Sequence, residues 1–65
     1  MMPEILSHWT ISKENPPSVV FVVVEQIRPG WWTLEVLHDA REDRHEVGFR
    51  FEVEAAWFEM RGRKL

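Results

Sequence analysis

Apolar and polar positions along the chain fall into short blocks separated by turn residues. Val19 to Val24 reads VVFVVV, six strand-favouring residues with no polar position among them, the pattern of a strand buried on both faces. Arg28-Pro29-Gly30 interrupts, Trp31 to His38 resumes the apolar content, and His38 to Arg44 is polar. His45 to Val53 then alternates, with Val47, Phe49, Phe51 and Val53 on one face and Glu46, Gly48, Arg50, Glu52 and Glu54 on the other, as a half-buried strand does. Asn15-Pro16-Pro17-Ser18 stops whatever precedes this series. The pattern predicts three strands over 19–27, 31–38 and 45–53. Ile5 to Ile11 reads two ways: Ile5 and Trp9 are spaced as on a helix, whereas Trp9-Thr10-Ile11 looks extended.

Register arguments join these strands into a meander. Pairing His38 with His45 sets Val36 against Val47, Leu34 against Phe49 and Trp32 against Phe51, so each core position meets an apolar partner. On the other face Thr33 lies opposite Arg50 and Glu35 opposite Gly48, with Arg50 on its diagonal, while Trp31 lies opposite Glu52. A helix from Leu34 to Glu42 capped by Thr33 would have a good cap but no well-defined apolar stripe. For the first hairpin, a loop of Arg28, Pro29 and Gly30 sets Val24 against Leu34 and Val22 against Val36. Phe21, Val23 and Ile27 then share the reverse face with Leu37 and Trp31.

The C-terminal residues read best as a helix. Val53, Ala56, Trp57 and Met60 fall at i, i+3, i+4 and i+7, acidic residues stand at the start, Arg61, Arg63 and Lys64 at the end, and Gly62 offers a C-cap. A continued strand would put Ala56, Phe58 and Met60 on one face with no equally good partner. The fold class expected is therefore mainly β: a small antiparallel sheet of three or four strands with a short C-terminal helix, α+β or a small barrel, in one domain.

Size and charge narrow the function. At 65 residues a domain buries only about 60% of the surface its chain exposes, so a staple is expected. Cysteine is absent, which removes disulfides and thiolate metal sites as staples. The formal charge of -3 opposes general binding to polyanions. No stretch resembles a secretory signal, and the valine run is too short to cross a bilayer, so a cytoplasmic setting with no membrane contact is expected.

Candidate chemistry is sparse. His38, Asp39, Asp43, His45 and Glu46 crowd one loop, and two histidines directly opposite each other could share a zinc or nickel ion with a carboxylate, His8 being a possible third ligand. Alternating charge such as Asp39-Ala40-Arg41-Glu42-Asp43-Arg44 reads more simply as a solvated hairpin tip, so no metal or cofactor is expected. The hydroxyls of Ser7, Thr10, Ser12, Ser18 and Thr33 lack a G-x-S-x-G turn or a base beside them, and no enzymatic activity is expected.

Eight aromatic residues are a heavy load for this length. Val47-Gly48-Phe49-Arg50-Phe51 resembles the RNP1-type strand of RNA-recognition motifs and cold-shock domains, whose aromatics stack on bases. Val47 stands where that motif has a basic residue and Arg50 where it has a small one, so no binding residue carries over. Glu46-Val47-Gly48-Phe49-Arg50 similarly resembles the last strand of dodecins, small flavin-storing oligomers, whose long helix after the first strand has no counterpart here.

These features together lead to a non-catalytic protein-binding or assembly module acting as a homo-oligomer, with a larger protein as a further possible partner. A sheet apolar on both faces needs two covers, and a second copy supplies one, with Phe21, Val23, Trp31 and Leu37 near the contact. The alternative is a single-stranded nucleic-acid binder using Trp31 with Arg28, Arg50 and the tail cations Arg61, Arg63 and Lys64.

Overall fold

A computed structural model describes residues 2–65. Its elements run β1 (His8–Thr10), β2 (Val19–Arg28), β3 (Trp31–Asp39), β4 (Arg50–Glu54), α1 (Ala55–Met60) and β5 (Arg63–Lys64). They form one open antiparallel sheet in the order β4-β3-β2-β1-β5, with α1 packed on one face. The meander of three strands is as expected, except that its third strand covers only Arg50–Glu54. β1 and β5 add to them, β1 pairing with β2 through His8↔Val22 and Trp9↔Phe21 and with β5 through Trp9↔Lys64 and Thr10↔Arg63. The extended reading of Trp9-Thr10 therefore holds. Among the described residues no helix is long and apolar enough to cross a membrane.

The β2–β3 hairpin turns on Pro29 and Gly30 alone, since Arg28 pairs with Trp31. Proline fixes the first corner and Gly30, at φ 80°, supplies the positive φ of the second. Register shifts between Val23 and Glu25 and between Gln26 and Arg28 leave Val24 and Ile27 as extra residues on β2, and Leu37 is the extra residue on β3. Val23 thus pairs with Leu34 and Phe21 with Val36, one residue away from the expected Val24–Leu34 and Val22–Val36. A slip of one exchanges the two faces of a strand. Val19, Phe21 and Val23 point into the core, and Val20, Val22 and Val24 point out. This assignment puts the phenylalanine, the largest apolar side chain of the run, where burial is most favourable.

The β3–β4 register slips by two, which preserves the faces. Leu34 pairs with Phe51, Trp32 with Val53 and Glu35 with Arg50, in place of the expected Leu34–Phe49 and Trp32–Phe51. β4 accordingly begins at Arg50 rather than His45, and Val47 and Phe49, expected in the core, are exposed. Asp39 is the cause. Its buried carboxylate accepts hydrogen bonds from the Arg41 backbone N–H, from Arg41 Nε and Nη2, and from the His45 backbone N–H. These bonds fold residues 40–49 into a structured loop rather than a hairpin tip.

Helix α1 is six residues long and buries Phe58, which is 1% exposed. The expected stripe of Val53, Ala56, Trp57 and Met60 is not its inner face: Phe58 faces the sheet, and Met60, two residues or about 200° further round the helix, is 82% exposed. Phe58 sits edge-on to Trp9 at 4.9 Å, Trp57 at 5.2 Å and Trp32 at 5.6 Å between ring centroids, and it closes a core of Val19, Phe21, Val23, Leu34, Val36 and Val53. Arg61, not Gly62, caps the helix. Gly62 is required for room: a Cβ there would lie 2.9 Å from the Trp57 ring and 3.1 Å from that of Trp9. Gly62→Ala is expected to lower stability by about 1–3 kcal/mol through overpacking, read as a reduced urea midpoint with an unchanged slope.

Candidate functional site

The outward face of the sheet is polar around a narrow apolar stripe. Cross-strand pairing sets His8, Val22, Glu35 and Arg50 in one row, and Val22 is only 8% exposed although α1 lies on the opposite face. Arg50 Nε donates to Glu35 Oε1 at 2.8 Å, Arg28 Nη1 lies 3.8 Å from Glu52 Oε1, and the Arg28 guanidinium rests 4.6 Å above the Trp31 ring. Three of the six residues singled out for nucleic-acid contact, Arg28, Trp31 and Arg50, are thereby engaged with one another or with carboxylates.

The expected oligomer contact is divided by the fold. Phe21 and Val23 are 3% and 0% exposed inside the chain's own core, with Phe21 edge-on to Phe51 at 5.2 Å. They are not surface residues. Trp31 is half-buried beside the β4 edge and Leu37 is exposed at a bulge. His38 and His45 do not face each other either: His38 pairs with Val20 on β2, and the His45 ring stacks on Phe49 at 4.9 Å. Among the described residues no three His, Cys, Asp or Glu side chains gather as metal ligands.

Two concave regions border α1. A cleft of about 330 Å³ between the 40–49 loop and the helix is walled by Ile11, Phe21, Phe49, Phe51 and Trp57 and rimmed by Arg41, His45 and Arg61. No carboxylate lines it. Asp39, behind Arg41, is held well below the usual carboxylate range, chiefly by the Arg41 side-chain hydrogen bonds against the opposing effect of burial, and it raises the Arg41 guanidinium in turn. That ion pair makes Arg41 a fixed wall rather than a free hand for an anion. A second groove, of about 370 Å³, runs along the outer side of β4 and is lined by Trp31, Glu52, Val53, Glu54, Ala56, Trp57, Met60 and Arg61.

This second groove adjoins β4, an edge strand of the sheet. Val36 N–H donates to the Phe49 carbonyl and Ala55 N–H to the Gly30 carbonyl, so in the antiparallel ladder the odd-numbered residues of β4 turn their backbone groups to β3. The N–H and C=O groups of Arg50 and Glu52 consequently point away from the sheet, and Arg50, Glu52 and Glu54 are exposed. The alternation in the sequence marked these side chains as outward. It could not mark β4 as an edge, which depends on the order of strands. No family model matches the chain, and no curated protein or solved structure is similar to it.

Proposed function

We propose that the chain is a non-catalytic binding or assembly module that works as a homo-oligomer in the cytoplasm. The open β4 edge carries this reading. Unpaired backbone groups in a row are a template for another strand, and here they stand beside an apolar groove and the exposed side chains of Phe49 and Met60. A small domain gains from association the stability that its core is too small to provide. A larger protein can use the same edge by strand addition. Sedimentation equilibrium at low micromolar concentration tests the reading, and a folded species at the 7.8 kDa of the single chain would overturn it.

The Arg28–Trp31 stack is the one feature that favours single-stranded nucleic acid. Against it, Arg28, Arg41 and Arg50, three of the eight Lys and Arg residues, face carboxylates of the same chain, and the formal charge of -3 opposes approach to phosphates. Titration of mixed single-stranded oligonucleotides is expected to show no binding tighter than about micromolar at physiological salt, followed by Trp fluorescence. Salt-sensitive quenching at lower concentration would reverse the choice between the two functions.

A further inference from the structure

We infer that two copies of this chain join β4 to β4 as antiparallel neighbours, with the two-fold axis passing through Phe51, to make one continuous ten-stranded sheet. The inference rests on the homo-oligomer reading and adds to it the surface, the register and the specifying residues.

Three two-fold registers would let the outward-pointing backbone groups of β4 meet in pairs, and charge separates them. An axis at Glu52 sets Glu52 against Glu52 of the second copy, and the Arg50–Glu54 pairs that flank it would need the backbone of Glu54, which is committed to the start of α1 as its N-cap. An axis at Val53 sets Glu52 against Glu54 twice. Only the axis at Phe51 sets Arg50 against Glu52 on both sides of the axis, and like charges directly opposite oppose pairing while unlike charges favour it. In this register Arg50 and Glu52 also exchange their backbone N–H and C=O groups across the interface, giving four new hydrogen bonds. Neither side chain is exhausted by its present partner. Arg50 uses Nε alone toward Glu35, and Glu52 lies at the longer distance of 3.8 Å from Arg28, the two side chains being 56% and 55% exposed.

The inner face completes the match. With the axis at Phe51, Phe49 of each copy lies opposite Val53 of the other. Phe49 is 47% exposed in the single chain, and Val53 lines the groove shared with Ala56, Trp57 and Met60. An exposed aromatic ring on each copy thus meets an open apolar groove on the other, the self-complementary relation that a two-fold contact requires.

Sedimentation equilibrium on the wild type, Arg50→Glu, Glu52→Arg and the doubly exchanged Arg50→Glu/Glu52→Arg chain tests the register. The wild type should be a dimer, each single reversal should weaken association by at least about tenfold, and the double exchange should restore it to within about threefold. Restoration is informative because Glu35 remains beside position 50 in the double variant, so the Arg50–Glu35 ion pair of the single chain is not what recovers. The chain has no native cysteine, so oxidised Phe51→Cys should cross-link to its own copy, whereas Glu52→Cys should not. A dimer indifferent to the reversals, or cross-linked through position 52, overturns the register and leaves the homo-oligomer reading standing. A monomeric wild type overturns both.

Discussion

Phe58→Ala is expected to leave most of the population unfolded at room temperature. The side chain is 1% exposed and edge-on to Trp9, Trp32 and Trp57, so its removal opens a cavity bounded by rigid rings that cannot collapse into it. Phe→Ala in such a site costs about 3–5 kcal/mol. A domain of this length has about 3–10 kcal/mol in total. The helix adds to the loss, because six residues form no stable helix on their own and its N-cap, Glu54, makes no side-chain cap hydrogen bond. Without Phe58, α1 has no anchor and the core is uncovered on that side. Circular dichroism should show the near-ultraviolet tryptophan signal lost and the melting transition broad or absent. A cooperative transition within about 1 kcal/mol of wild type would mean that the helix is an accessory rather than a cover.

Asp39→Asn is expected to cost about 2–3 kcal/mol and to remove the part of the fold's acid sensitivity that this carboxylate carries. The carboxylate is fully buried and accepts four hydrogen bonds, from Arg41 and from the His45 backbone. An amide would present an N–H₂ to donors and leave the guanidinium, one-third exposed, without its counter-charge. Because the Arg41 side chain holds the Asp39 carboxyl below its usual range in the folded state, protonation favours the unfolded chain. The contribution is therefore fully present above the unfolded value of about 3.9 and is lost as the pH falls below it toward the lowered folded value. Urea midpoints measured from pH 7 down to pH 2 should fall less steeply along the acid limb in Asp39→Asn than in the wild type. Parallel pH profiles for the two proteins would show that the 40–49 loop is not held by this group.

The unequal outcome for different elements has a physical basis. β4 was readable because Val, Phe, Arg and Glu alternate, so only one face can be buried. β2 was readable as a strand but not as to face, since a run of valines looks the same from both sides and the three extra residues, Val24, Ile27 and Leu37, carry no distinguishing side chain. Phe21 alone breaks that symmetry, and its bulk is the signal that could have placed Val19 and Val23 beside it in the core. The contact expected at Phe21 and Val23 followed from the same face assignment. For α1, a stripe spanning i to i+7 has no room in six residues. Asp39 was hidden within a charge run. The distinguishing signal was its place at the end of a strand, two residues before an arginine, where a short carboxylate can turn back on the following backbone. The β4 edge was not readable at all, because whether a strand is central or peripheral depends on what the rest of the chain does.

The two edges of the sheet are unequal, and this limits growth. β4 offers five residues, whereas β5 at the far side offers only Arg63 and Lys64, both exposed. A head-to-head join at β4 consumes the long edge of each copy and leaves two short, cationic borders facing outward. Such borders are poor seeds for further strands, since a two-residue ladder gives few hydrogen bonds and the charges repel a like border. Under the proposed β4 join, assembly would stop at two copies, and a valine-rich sheet would be kept from propagating into a fibre.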